Sequence, residues 1–187
     1  MKDIMVDLET MDNVPSAAIV AIGAVECDLT TGEIGDEYYR IVNLDKQPGT
    51  TINAETLYWW LGQSDGARKA LTVERKVSLD TMCTTFNNWI YSLKVNSDNL
   101  RLWGNGASFD NAILRYAYRQ CDKELNIRFW NDRDMRTIVG FYPTQLQHIW
   151  RQTHIRKGEH HNALDDAKHQ VRYVKDILKE LGVTELY

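Results

Sequence analysis

The chain of 187 residues contains no apolar run approaching the roughly 20 residues that a membrane-spanning helix needs, so a membrane partner is not expected. Cysteine is scarce. Cys27, Cys83 and Cys121 are odd in number and show no Cys-x-x-Cys spacing, which argues against a disulfide framework or a zinc knuckle and for reduced thiols in a cytoplasmic protein. With the first acidic motif already at Asp7, a signal peptide is not expected. Internal repeats, low-complexity tracts and an interdomain linker are missing as well, so residues 1–187 are expected to form a single domain. Positive charge is not in excess either: 22 Lys and Arg face 26 Asp and Glu, for a net charge of −4. That balance argues against tight, sequence-independent coating of nucleic acid, which usually shows as a basic patch.

What is present is ordinary globular material, 43% hydrophobic and 26% charged, long enough to bury roughly 70% of the surface its unfolded form would expose. The charge objection to a nucleic-acid partner weakens on inspection. Basic residues concentrate between Arg115 and Lys157, including Arg119, Lys123, Arg128, Arg133, Arg136, Arg151 and Arg156. Acids belonging to a metal site would also have their field reversed by bound ions.

Ile4 to Leu8 reads as a buried strand, and Ala17 to Leu29 as a long β-rich run. Thr30-Thr31-Gly32 forms a hairpin turn into Tyr38 to Leu44. Lys46 to Thr51, with Pro48 and Gly49, is a loop. Helical spacing follows. Ala54, Leu57, Trp60 and Leu61 share one face; after the N-cap Ser78, so do Leu79, Met82, Cys83, Phe86, Ile90 and Leu93. Leu100 to Trp103 is a short strand ended by Gly104-Asn105-Gly106, and Ser108 is read as the cap of a helix to Cys121. Ile127 to Trp130 is read as a strand. A last helix from Ala163 to Leu181 keeps 3/4 spacing through Leu164, Ala167, Val171, Val174 and Leu178. Three strands followed by alternating helices and strands suggest an α/β fold, a ribonuclease H-like mixed five-stranded sheet with helices on both sides.

Three separated fragments carry the chemistry: Asp7 and Glu9, Asp110, and His161 with Asp166. Asp7 and Glu9 leave the same face of their strand, about 7 Å apart, while Val6 and Leu8 face the other way. They are either surface acids of an edge strand or, since Ile4-Met5-Val6 implies a central strand, functional acids at its end. Asp110 lies in the first turn of a helix, where an acid also serves the dipole. Around the last helix Asp165 lies roughly 155° from the centre of the apolar stripe and Asp166 roughly 105°. Asp165 is therefore expected to face water and Asp166 to flank the buried face. His160 and His161 are read against a zinc site, because no cysteine is near and the surrounding donors are hard oxygens. Four gathered carboxylates repel and lose hydration unless cations join them. Their oxygens suit Mg²⁺ or Mn²⁺, and a neighbouring histidine supplies a base near neutral pH. Together these are the parts of a two-metal phosphodiesterase.

Asp7-x-Glu9-Thr10, Asn105 through Phe109-Asp110, and His161-x₄-Asp166 resemble the three exonuclease motifs of the DEDD superfamily in its histidine version. The tyrosine version would have tyrosine where this chain has Asn162. The residues Ala17 to Val25, Thr56 to Trp60 and Phe129 to Thr137 are similar to a phage and bacterial branch. That branch includes DexA-type phage exonucleases, exonuclease VIII-like prophage proteins and a mycobacterial 3′–5′ exoribonuclease. The resemblance implies 3′–5′ exonuclease activity on DNA or RNA with a free 3′ end. It implies two Mg²⁺ or Mn²⁺ ions held by Asp7, Glu9, Asp110 and Asp166, and His161 as general base. Nucleoside 5′-monophosphates would be released. Thr10, Asn105 and Phe109 are placed to touch the terminal nucleotide, though each could be structural. Trp59, off the apolar face of its helix, is either a stacking platform for a base or a packing or homodimer contact. Asp134 is read as a helix N-cap and Arg136 as a phosphate contact. An endonuclease of the same fold, or a non-catalytic nucleic-acid-binding module, are the alternative readings.

Overall fold

A computed structural model describes residues 1–153 and 155–186, with the side chains of 149, 151 and 153 left aside. Five strands form one mixed sheet: β1 (Lys2–Thr10), β2 (Ile19–Cys27), β3 (Ile34–Ile41), β4 (Leu100–Gly104) and β5 (Asp132–Asp134). Their order is β3-β2-β1-β4-β5, antiparallel from β1 to β3 and parallel from β1 through β4 to β5. This is the expected mixed α/β sheet.

The helices are α1 (Ala54–Leu61), α2 (Asp65–Thr72), α3 (Leu79–Ser92), α4 (Asp110–Gln120), α5 (Met135–Gly140), α6 (Thr144–Thr153) and α7 (Ala163–Glu180). β1 is central, and its alternation sorts the two cores. Ile4, Val6 and Leu8 pack with Leu79, Phe86, Ile113 and Leu114 of α3 and α4. Met5 packs on the other side with Ala167, Val171, Val174 and Ile177 of α7, and with Met135 and Trp150 of α5 and α6. Asp3, Asp7 and Glu9 share the Met5 face by the same alternation. At the start of β1, the carboxylate of Asp3 accepts from Arg101 Nε and Nη2 (2.6 and 2.8 Å) and from Trp103 Nε1 (2.7 Å), all buried.

α7 lies against the sheet at Gly23, the residue paired with Asp7 in the β1–β2 register. A Cβ at position 23 would stand 2.2 Å from Ala163 C and Leu164 N, so glycine lets the N-terminus of α7 touch the sheet backbone beside Asp7.

Several elements depart from the sequence expectations. The β-rich run narrows to β2, and the third strand begins at Ile34 and ends at Ile41 rather than spanning 38–44. Phe129 and Trp130 are exposed in a 3₁₀ turn, and the fifth strand is Asp132–Asp134 instead. The buried Asn131, which donates to Asp98 O, holds that turn. On α1 only Trp60 of the apolar face is buried. Ser108 does not cap α4: its N-cap residue is Phe109, with no side-chain bond. Ser78 and Asp134 are the N-caps expected, accepting from Thr81 N and Arg136 N. All three cysteines are free, and Cys27 and Cys83 are buried. Among the described residues no helix is long and apolar enough to cross a membrane.

Candidate active site

The C-terminal end of β1 opens into a cleft of about 860 Å³ between α1, α5, α6 and α7. Asp7, Glu9, Thr10, Asn105, Phe109, His161 and Asp166 line it. Asp110, 2% exposed, lies just behind. Its carboxylate accepts from Leu8 N at 3.0 Å and from the backbone N–H groups of Asn105 and of Asp110 itself. Leu8 lies on β1, while Asn105 and Asp110 lead into α4, so the carboxylate ties the central strand to the start of that helix.

Burial and mutual repulsion govern the charges. Desolvation, then the charges of Asp110 and Glu9, push Asp7 well above the usual carboxylate range. Burial and Asp110 raise Glu9 to about 8, and burial raises Asp110 to about 7. Acids in this state accept a cation readily, because it restores the ionised form that burial opposes. Glu9, His161 and Asp166 each offer a ligand atom, all within 4.8 Å of one another. Buried, electron-rich carboxylate oxygens with an imidazole beside them fit a hard divalent ion.

His161 is held in an unusual backbone state. Its φ is +62°, in the left-handed region that non-glycine residues seldom adopt. Its N–H donates to Asp166 Oδ2 at 3.1 Å, and the Trp59 ring meets its ring edge-on at a centroid distance of 4.8 Å. Trp59 thus has a packing contact at the rim of the cleft. Its neighbour Trp60, fully buried, donates to Thr10 O and ties α1 to the end of β1. Burial, then His160 and Arg156, lower the pKa of the His161 imidazole. Asn162 caps α7 by accepting from Leu164 N and Asp165 N. Thr10 donates its hydroxyl to Asp12 O, and Asn105 accepts from Arg136 Nε.

Asp165 does not simply face water. Half-buried, it accepts from Glu159 N at 2.9 Å, and Gly158 (φ +89°) sits so close that a Cβ would stand 2.4 Å from Asp165 Cγ. The charged loop before His161 is therefore pinned to α7. Of the basic residues between 115 and 157, Arg115 pairs with Asp132, Lys123 with Asp80 and Arg128 with Asp98. Arg136 and Arg156 turn into the cleft, and the Arg151 side chain lies outside the described residues.

Sequence reasoning missed Gln170, whose Nε2 donates to Asp7 Oδ1 at 2.6 Å. The signal was its position four residues after Asp166, on the same face of α7. It also missed Arg156, whose guanidinium pairs with Asp166; nothing in the local sequence separates that arginine from its basic neighbours.

A ribonuclease H-like sheet with these acids at the end of its central strand is the fold found in a DEDDh nuclease. The chain belongs to the Rv2179c-like 3′–5′ exoribonuclease domain family, whose model matches residues 2–178; it is a nuclease. Solved structures share the fold at low identity. The nuclease domain of 3′hExo, a DEDDh family member bound to rAMP, matches with a TM-score of 0.70 at 16% identity, covering 99% of this chain and 94% of that one. Exonuclease X in complex with 5′ overhanging duplex DNA matches with a TM-score of 0.59 at 15% identity, over 96% and 93%. E. coli exonuclease I in complex with a dT13 oligonucleotide matches with 0.67 at 12%, over 97% of this chain and 42% of that one. No curated protein matches the chain.

Proposed function

We propose that the protein trims nucleic acid from a free 3′ end by metal-dependent hydrolysis of the terminal phosphodiester, releasing nucleoside 5′-monophosphates. The observation that carries this reading is the convergence of Asp7, Glu9, Asp110, Asp166 and His161 at one cleft from three distant parts of the chain. Asp7, Glu9, Asp110 and Asp166 would hold two Mg²⁺ or Mn²⁺ ions. When bound, such ions acidify water and stabilise the charge that develops on the leaving oxygen.

The chain's own groups do the rest. His161 Nδ1 or Nε2 accepts the proton of the attacking water. Its lowered pKa keeps it neutral, hence able to accept, through neutral pH. The Asp166 carboxylate holds the His161 backbone, fixing where the ring stands. Gln170 donates to Asp7 and orients that carboxylate. Thr10, Asn105 and Phe109 border the space for the terminal nucleotide, and Arg136 stands beside Asn105 to meet phosphate. The family's description makes RNA the first substrate to test; a cytoplasmic location and a single domain belong to the same proposal.

The test is a 3′-end-labelled strand, RNA and DNA in parallel, incubated with Mn²⁺. Mononucleotides should appear from the 3′ end, and a blocked 3′ end or a circular strand should resist. Turnover in excess EDTA with metal content verified, or efficient cutting of circles, overturns the reading, the second in favour of an endonuclease.

A further inference from the structure

The acidic cluster has a cation of its own. Arg156 lies in the cleft with Nη2 paired to Asp166 Oδ1, its side chain 27% exposed. The charges of Asp7, Asp165, Glu9 and Glu159 all favour its charged form, while burial opposes it. Reciprocally, Arg156 lowers the pKa of both Asp7 and Glu9. Ion pairs with one member of a crowded carboxylate group form where an unpaired charge would be costly.

We propose that Arg156 competes with divalent ions for the Asp166 carboxylate, and that it passes from Asp166 to the scissile phosphate of the substrate when those ions take the carboxylates. The inference rests on the two-ion reading above. Charge dictates the exchange. Two divalent ions would neutralise four carboxylates, which leaves the guanidinium without a partner in the cluster until a phosphate enters. The planar guanidinium fork fits carboxylate and phosphate alike, so the same side chain serves both states without rebuilding.

The loop is made for such an exchange. Three residues beyond Arg156, Glu159 is fastened twice: its N–H to Asp165 and its carboxylate to the Ser64 hydroxyl at the start of α2, 2.8 Å away. Gly66 allows that approach, since a Cβ there would stand 2.4 Å from Glu159 Oε1. The backbone that carries Arg156 is thereby anchored near its C-terminal end, and the long side chain supplies the reach. In the transition state the phosphoryl oxygens gain charge, where a preplaced donor acts most strongly.

The experiment compares wild type with Arg156→Gln and Arg156→Lys, using Mn²⁺ alone as the calorimetric ligand and an end-labelled oligonucleotide for kcat and KM. Removing the competitor should tighten Mn²⁺ binding by at least about fivefold, while kcat falls roughly 10²-fold. The Lys variant should lie between wild type and Gln on both readouts, and it carries the test if the Gln variant does not fold. A purely structural role would weaken metal binding and turnover together. Unchanged or weaker Mn²⁺ binding by a folded Gln variant overturns the Arg156 proposal and leaves the two-ion reading intact. A wild-type protein that binds no Mn²⁺ overturns both.

Discussion

Replacing Asp7 by Asn should make the metal-free protein more stable and the enzyme inactive. Asp7 is buried between Glu9 and Asp110, and each of these neighbours resists ionisation. Lifting Glu9 from 4.5 to about 8 corresponds to roughly 5 kcal/mol set against its charged form. An amide at position 7 keeps the shape and an oxygen for Gln170 Nε2 while removing one charge from the cluster. Burial and Asp110 raise Glu9, and burial raises Asp110, so those costs stay in place; what the substitution removes is the cost of Asp7 itself, whose charge burial, Asp110 and Glu9 all oppose. Relief of about 2 kcal/mol at pH 8 is therefore expected, or roughly 4–8 °C in Tm for a chain of this size. The sign with pH follows from linkage. Folded-state pKa values above the unfolded ones give these acids a stability contribution that is fully present below about pH 4 and lost as pH rises through about 7 for Asp110 and about 8 for Glu9. The gain from Asp7→Asn should thus fade toward pH 4. Thermal unfolding in EDTA at pH 4, 6 and 8 measures it, and Mn²⁺ should reverse the ranking by stabilising wild type alone. An Asn variant less stable than wild type in EDTA at pH 8 would refute the repulsion argument.

Three further outcomes are expected. His161→Ala should lose about 10² to 10⁴-fold in kcat while His160→Ala, exposed on the loop, stays within a few-fold; the wild-type rate should fall on the acid side of the lowered His161 pKa, as a pH–rate profile of both variants would reveal. Gly23→Ala forces a methyl into the backbone of Ala163 and Leu164, so it should cost about 1–3 kcal/mol in denaturant titration and depress kcat by displacing Asp166. Asp3→Ala strands the buried Arg101 guanidinium; it should destabilise by about 3–5 kcal/mol with kcat unchanged at a temperature where the variant is folded.

The acids of the site were legible because their spacing is local. Two residues apart on a strand means one face; the helical angle brought Asp166 beside the buried face but wrongly left Asp165 to solvent, whereas both are half-buried. The central strand was legible for the same reason, since Ile4-Met5-Val6 is apolar on both faces and helices cover it on both. What escaped depends on approach between distant segments. Gln170 reaches Asp7 only because Gly23 admits α7 to the sheet, and Asp165 is drawn from solvent only because Glu159 folds back onto it. Phe129 and Trp130 misled because apolar composition says nothing of exposure; the fifth strand runs instead through three polar residues selected by their pairing with β4. α2, α5 and α6 are short, and α1 buries a single tryptophan, so periodicity had little to work on.

The central strand carries acids at both of its ends, on one face, and treats them in opposite ways. Asp3 stands directly beside Arg101 in the β1–β4 register, so the chain provides the matching charge whenever it folds. Asp7 and Glu9, a few residues on, have no such neighbour built into the sheet; the charge that completes them comes from a loop outside it or from solution. One pole of the molecule is thus indifferent to the ionic medium, and the other reports on it. On the proposed reading, a cell that lowers its free divalent ions would leave the fold standing and silence only the cleft at the far end of the strand.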